Sequence, residues 1–384
     1  MTNLFNNHIP LMRPWIDEEE INAVVEVLKS GWITQGEKVD EFEKAIAKYI
    51  GVKEAVATNA CTSSMHLSLL ISGILAGDNV ICPSFTCMAS ANAILHCGAV
   101  PKFCDIDPLT YNLSSRSVED NIDEKVKAIL IVHQIGLPAD LTGLYKIAKK
   151  YNLTIIEDAA CSLGATYSGH KLGSSGHPTC FSFHPRKMIT TAEGGMILTN
   201  DDNLANIAKQ MRSTGASVSD LLRHKAKGSL IQKYERIGYN YRMTDVHAAI
   251  GLAQFKKLPK ILLERTRQAE YYNNHFRDVK EISIPYVPAN TTHAWSSYMV
   301  RILDKKVSRD DLLQHMSANG VSCRIGIQPL HLEPFFKSEY GCLNLPETVE
   351  AADRTLFLPI FPGIKEEQQH RVVSLIKDFV RKVK

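Results

Sequence analysis

Three segments carry residues able to do chemistry together. CFSFHPRKMITTAEGGMILTN, residues 180–200, places Lys187 after Phe181 and Phe183 and before a Gly-Gly turn. An amine kept partly out of water is more easily held neutral, and a neutral amine condenses with a carbonyl to an imine. IIEDAACSLGA, residues 155–165, ends an apolar run with two carboxylates, Glu157 and Asp158. Ligands of open α/β sheets sit beyond the C-terminal strand ends, where an acid can keep a ring nitrogen protonated. TNACTSSMHL, residues 58–67, puts Cys61, Thr62 and further small residues at a strand-to-helix junction. Unpaired N–H groups at a helix start attract a phosphate.

Each segment also has an ordinary reading. Most lysines are surface residues, a Ser/Thr-rich helix start is usually only a cap, and a strand-end Asp often caps the next helix. Their order carries more information than any one of them. A phosphate-type helix start is followed by an acid about 100 residues on, and by a lysine about 30 residues after that.

The elements that must position these residues can be read from periodicity. A helix is predicted over 16–30, with Asp17 as cap, Glu20 completing a capping box, and Ile21, Val24, Val25 and Leu28 at helical spacing. After the turn GWITQG comes a second amphipathic helix, around 38–50. Then EAVATN, NVICPS, PKFCDID, KAILIVH and LTIIEDA read as strands, separated by helices over about 62–75, MASANAILHCG and LTGLYKIAKKYN. This alternation indicates βαβ units and a sheet covered on both faces. Residues 201–212 read as a helix and the polar stretch 213–236 as a loop. A long helix is expected from Thr244 through Pro259 to about Val279. The last hundred or so residues mix strands and helices. The division expected is a large domain over 1–255 and a smaller α+β domain over 256–384.

Composition narrows the functional class. The chain has 384 residues, room for two domains. Its net charge of +3 is spread without a dense basic run, so no nucleic-acid partner is expected. The longest apolar stretch, LSLLISGIL, is too short to span a bilayer, and the N-terminus lacks a signal-peptide pattern, so a cytoplasmic protein is expected. Nine irregularly spaced cysteines fit neither a disulfide framework nor a zinc site, and no metal is expected.

The three-segment order resembles the fold-type I pyridoxal-phosphate enzymes. More closely, the chain is similar to the DegT/DnrJ/EryC1/StrS sugar aminotransferases. The likeness rests on SGWITQGEKVDEFEKAIAKYIGV, PSFTCMASANAI, DIDPLTYNL, VHQIGLPADL, SFHPRKMITTAEGGM, GYNYRMTDVHAAIGLAQ and LPIFPG. It implies a large domain with a mostly parallel seven-stranded sheet sandwiched by helices, plus a small α+β domain. It also implies amino transfer from L-glutamate to a nucleotide-diphosphate-linked keto-sugar, most often a 4-keto-6-deoxyhexose, in a ping-pong cycle for amino-sugar and polysaccharide synthesis. The cofactor would be pyridoxal 5′-phosphate, in its amine (PMP) form for half the cycle.

By position, the resemblance makes Lys187 the Schiff-base lysine and proton carrier, and Asp158 the partner of the ring nitrogen. Ser182, Cys61 and Thr62 would hold the phosphate, and Asn240 would reach it from the neighbouring subunit of a homodimer. Trp32, Thr34, His184, Glu193, Arg242, Ser296, Tyr298, Arg324 and His331 fall in segments that shape the substrate pocket in relatives, where ordinary structural use is an equal alternative. Two positions depart from the pattern. Cys87 stands where an aromatic usually stacks on the ring, with Phe85 the nearest aromatic. Cys161 stands where Gln or His is usual. Two other readings within the family are a dehydratase, whose members replace the lysine with histidine, and a non-catalytic regulator, expected to lose Lys187 or Asp158. Both residues are present.

Overall fold

Runs such as VKAILIV are apolar on both faces of a strand and require helices above and below the sheet. The computed structural model, which describes residues 8–218 and 231–383, has that arrangement. Strands β1 (Glu54–Thr58), β2 (Asn79–Pro83), β3 (Val100–Cys104), β4 (Val126–Val132), β5 (Thr154–Asp158), the short β6 (Thr166–Tyr167) and β7 (His170–Lys171), β8 (Thr179–Ser182) and β9 (Gly195–Thr199) are threaded by helices. These are α1 (Glu18–Ser30), α2 (Glu37–Ile50), α3 (Cys61–Ile71), α4 (Met88–His96), α5 (Ser115–Asp120), α6 (Leu141–Tyr151) and α7 (Asp202–Met211). The main sheet has seven strands in the order β1-β9-β8-β5-β4-β2-β3. All neighbours are parallel except the two pairs made by β9, which runs back between β8 and β1.

Strand side chains alternate between faces, and the two faces have different neighbours. Ile156, Cys180 and Ile197 pack with Cys61 and Met65 of α3, Ala91 of α4 and Ala205 of α7. Ile155, Phe181 and Leu198 pack with Phe42 and Ile46 of α2, Leu144 of α6 and Leu258 of the long helix Asp245–Phe276. A second, antiparallel sheet follows, formed by β10 (Ile282–Ser283), β12 (Tyr298–Ile302), β14 (Thr355–Leu358) and β13 (Arg324–Ile325) in that order, while β11 (Thr291–Thr292) joins β6 and β7. Helices Arg309–Ala318 and Glu366–Lys382 cover this sheet through Leu312, Met316, Val372 and Ile376.

Three expectations are refined. The long helix runs unbroken through Pro259, so the boundary at 255/256 falls inside a helix. Ile9 bridges to Val321 and belongs to the second core, which therefore draws on both ends of the chain. Helix α1 has the predicted Asp17/Glu20 capping box, but its expected apolar stripe faces outward, with Ile21 49% and Leu28 55% exposed. The inner contact combines buried Val27 with buried Glu20, which accepts from Gln254 and Lys257 of the long helix, each at 2.8 Å. Burying that carboxylate without those donors would cost more than leaving three aliphatic side chains partly wet. Of the predicted 213–236 loop, residues 219–230 lie outside the described residues.

The motifs WITQG and YRMTD meet for a structural reason. Helix α2 starts at Gly36, which has no side chain to cap it. Asp245 supplies the acceptors instead, taking N–H bonds from Gly36 at 2.7 Å, Lys38 at 3.1 Å and Val39 at 3.1 Å. A Cβ on Gly36 would lie 2.1 Å from Trp32 Nε1 and 2.7 Å from Asp245 Oδ2. Thr244 meanwhile caps the long helix itself. Asp245→Ala should therefore cost about 3 kcal/mol, against about 1 kcal/mol for Thr244→Ala, measured as the shift in urea midpoint at constant slope.

Candidate active site

The ends of three strands set the site. Ser182 of β8 pairs with Gly195 of β9, and Gly195 pairs with Thr58 of β1, so these residues form one row across the sheet. Asp158 at the end of β5 pairs with Cys180, one strand over. Just beyond β1, α3 begins at Ala60, with no side-chain cap on its first-turn amides. The segment after β8 closes into a loop, with Phe183 N–H donating to Gly194 O, Thr191 N–H to Phe183 O and Lys187 N–H to His184 O. Lys187 is half-buried, with its amine end enclosed.

Alternation decides which side chains meet. Asp158, Cys180 and Ser182 face α3 and α4. Phe181 and Phe183 face the opposite side, where Phe183 packs 5.0 Å from the ring of Phe42. The two aromatics therefore do not line the lysine, as the sequence suggested. Lys187 instead donates to Cys161 Sγ at 3.1 Å. Burial pushes the Lys187 amine toward its neutral form, but Cys161 and then Asp158 more than offset this, and the net shift is upward. Cys61 is fully buried, and burial with the nearby Asp158 charge drives its thiol far above the ordinary range. It is a neutral thiol.

Asp158 is held on both oxygens. Ser90 Oγ, inside α4, donates to Oδ2 at 2.7 Å, and the Ala160 N–H donates to Oδ1 at 3.1 Å. Thr86 supports Ser90 at 3.0 Å. Nothing in the types of Thr86 and Ser90 marks them as site residues. Their only signal is a spacing of one helical turn in a run of small residues.

Glu157 points through the other face. It is fully buried and accepts from Tyr145 at 2.5 Å, Ser175 at 2.7 Å and His133 at 3.0 Å. The Ala139 N–H donates to His133 Nδ1, so the imidazole proton sits on Nε2 and points at Glu157. Burial pushes the Glu157 carboxyl up, but these donors outweigh it and its pKa is lowered.

The remaining candidates separate into groups. Thr62 and Ser182 are half-buried at the α3 end of the sheet. Cys87 is exposed at the start of α4. Phe85 is fully buried against Tyr111 in a separate apolar cluster, so it is engaged away from this site. Asn240 has an exposed side chain, while its carbonyl accepts from Asn59 at 3.4 Å and Asn59 N–H donates to Tyr241 O at 2.8 Å. This places Arg242 one residue from the α3 approach. Trp32 Nε1 bonds Gln35 O within its own turn, and Thr34 O accepts from Asp245. Exposed Glu193 lies near enough to His184 and His247 to favour their charged forms, although burial lowers both.

Other candidates belong to the second unit. Tyr298 is completely buried in its core with its hydroxyl on Asn273, Ser296 is buried with its carbonyl on Arg265, and Arg324 is exposed on β13. Through Arg265, which interacts electrostatically with Cys161, Ser296 is tied to the surroundings of the lysine. His331 is buried against the end of β2, exchanging bonds with Ser84.

An enclosed lysine, a braced carboxylate and an uncapped helix start at one sheet edge agree with the comparison to known proteins. The model of the DegT/DnrJ/EryC1/StrS aminotransferase family matches residues 14–377. The chain belongs to that family. GDP-perosamine synthase of Caulobacter vibrioides is 36% identical over 373 residues, covering 96% of this chain and 97% of that one. Among solved structures, Helicobacter pylori PseC, an aminotransferase of pseudoaminic acid biosynthesis, superposes with a TM-score of 0.90 at 27% identity, over 97% of this chain and 100% of that one. Spr1654 of Streptococcus pneumoniae, solved in its PMP-form, gives 0.91 at 28% identity, over 98% and 100%. Relatives of this family chain are thus sugar aminotransferases, and the mostly parallel sheet is the one they share. Among the described residues, no helix is long and apolar enough to cross a membrane.

The two adjacent carboxylates should respond differently. Glu157→Gln should lower the unfolding free energy by about 2 kcal/mol at neutral pH. Because the folded pKa of Glu157 is depressed, its contribution is present above the ordinary value and is lost as pH falls through the folded one. The gap from the unaltered protein should therefore narrow below about pH 4, as urea titrations at the two pH values would show.

Proposed function

We propose that this protein carries an amino group from L-glutamate to a nucleotide-diphosphate-linked keto-sugar, with a 4-keto-6-deoxyhexose as the preferred acceptor, in a ping-pong cycle. The observation that carries the reading is the convergence of the Lys187 amine, the Asp158 carboxylate and the open start of α3. The relatives in GDP-perosamine and pseudoaminic acid synthesis support the sugar class.

The residues present fit pyridoxal 5′-phosphate. The first-turn amides of α3 are uncapped, as a phosphate requires. The missing side chain at Gly195 leaves room there, since a Cβ would lie 2.5 Å from Cys61 N. Cys61, Thr62 and Ser182 surround that corner, while Asp158 offers a carboxylate to a ring N–H. When bound, the cofactor would supply an electron sink for the electrons released at the amino-acid Cα. Lys187 would anchor it and then, released, move the proton at that carbon. Asp158, held in place by Ser90 and Ala160, would pair with the ring nitrogen. Cys87, at the start of α4, and Cys161 would border the ring.

Arg242, as an arginine, is the side chain chemically suited to a diphosphate, and Trp32, Thr34, His184, Glu193 and His331 would lie around the acceptor. A homodimer is part of this reading, with Asn240 reaching the phosphate of the neighbouring subunit. Its exposed side chain supports that. The cytoplasm is the compartment proposed, in keeping with nine free cysteines.

Purified protein should absorb in the visible, change colour with L-glutamate, and recover with the correct keto-sugar. Lys187→Ala should lose at least about 10³-fold in kcat, and turnover near the original rate would overturn the assignment. Ser90→Ala tests the brace on Asp158. It should lower kcat about tenfold with KM for the sugar little changed, and move the pH midpoint of the visible band by about one unit. Ser90→Thr should restore both.

A further inference from the structure

We propose that Cys161 and Lys187 form a reversible sulfur–nitrogen link under hydroperoxide, which blocks the lysine whenever it is not joined to the cofactor. The last clause rests on the function proposed above, whereas the link rests on geometry alone. Lys187 Nζ lies 3.1 Å from Cys161 Sγ, and rotation of the flexible lysine chain can close that gap.

The neighbouring thiols do not compete. Cys61 and Cys180 are buried, and burial raises both thiols, so neither supplies the thiolate that reacts with peroxide. Cys161 is half-exposed. Two cations face it, Lys187 and the fully buried Arg265, which lies near enough to interact with it electrostatically. The described bonds of Arg265 go to the carbonyls of Trp295, Ser296 and Ile360 and to Met12 Sδ, none of which neutralises its charge. Partial exposure and a direct contact with an amine set Cys161 apart from the two buried thiols. The carbonyl of Cys161 lies against Gly136, where a Cβ would come within 3.2 Å of both that carbonyl and His293, so the loop holding the thiol has little room to swing away.

The chemistry balances with the peroxide as oxidant. The O–O bond breaks as sulfur gives up two electrons, an S–O bond forms, and water or an alcohol leaves. The Lys187 amine then attacks sulfur, forming S–N and breaking S–O, and the hydroxyl departs as water with the amine's proton. A small thiol reverses the link by attacking sulfur, releasing the amine and leaving a mixed disulfide that a second thiol reduces.

The test uses full-length protein as purified, in three arms: untreated, given L-glutamate to release the lysine, or reduced with borohydride to lock the cofactor on it. Each receives the same hydrogen peroxide, then digestion and peptide mass mapping. In the glutamate arm, the larger part of the Cys161 signal should appear joined to the Lys187 peptide, two hydrogens lighter than their sum, and return to the separate peptides with dithiothreitol. The joined species should be absent after borohydride and in Cys161→Ser. Cys161 that stays reduced or proceeds to sulfinic acid beside an unmodified Lys187 peptide overturns the proposal. If borohydride leaves Lys187 unlabelled, the cofactor reading fails instead. The untreated arm, where the lysine would then be free, still decides the link.

Discussion

The backbone of Gly195 lies against the first turn of α3, and the site is built around that contact. A side chain at this position would meet Ala60 C, Ala60 O and Cys61 N at 2.5–2.6 Å. Its absence lets β9 return between β8 and β1, so the loop carrying Lys187 is tied to the helix that would receive a phosphate. Strand β9 is the antiparallel member of the main sheet for this reason. It brings the end of the lysine loop back to the edge where β5, β8 and β1 all end.

Strand alternation then divides labour among adjacent residues. Asp158 and Ser182 fall on the α3–α4 side, while Glu157 and Phe181 fall on the other. Two neighbouring carboxylates thus acquire unrelated tasks. One is braced by a single hydroxyl and an amide, leaving capacity for a further donor. The other is saturated by Tyr145, Ser175 and His133 and locks β5 to α6. A saturated buried carboxylate has no lone pair directed at a substrate. The same logic makes Asp245 a cap for a distant helix.

Much of the fold was legible because its cues are local. Apolar runs and caps announced most strands and helices to within a few residues, although the helix expected to 75 ends at Ile71 and the strand expected to 107 ends at Cys104, and the long helix was read through Pro259. The outward face of α1 was not legible, since it depends on Gln254 and Lys257, far away in the chain. Nor was the setting of the lysine. Phe181 and Phe183 are close to it in sequence, but strand pleating turns them to the opposite face. The groups that act on it are Cys161, its hydrogen-bond partner, and then Asp158.

By itself, the sequence determined the alternation of strands and helices and the family, and it supplied Lys187 and Asp158 as the pair proposed to react. Residue type and order suffice when a motif stays within one strand–loop–helix unit. Tertiary structure alone decided that Ser90 braces Asp158, that Phe85 packs against Tyr111, that Tyr298 is a core residue, and that a thiol touches the lysine. Each is a contact between elements far apart in the chain. Such contacts follow from sheet order and helix docking, which local pattern does not encode.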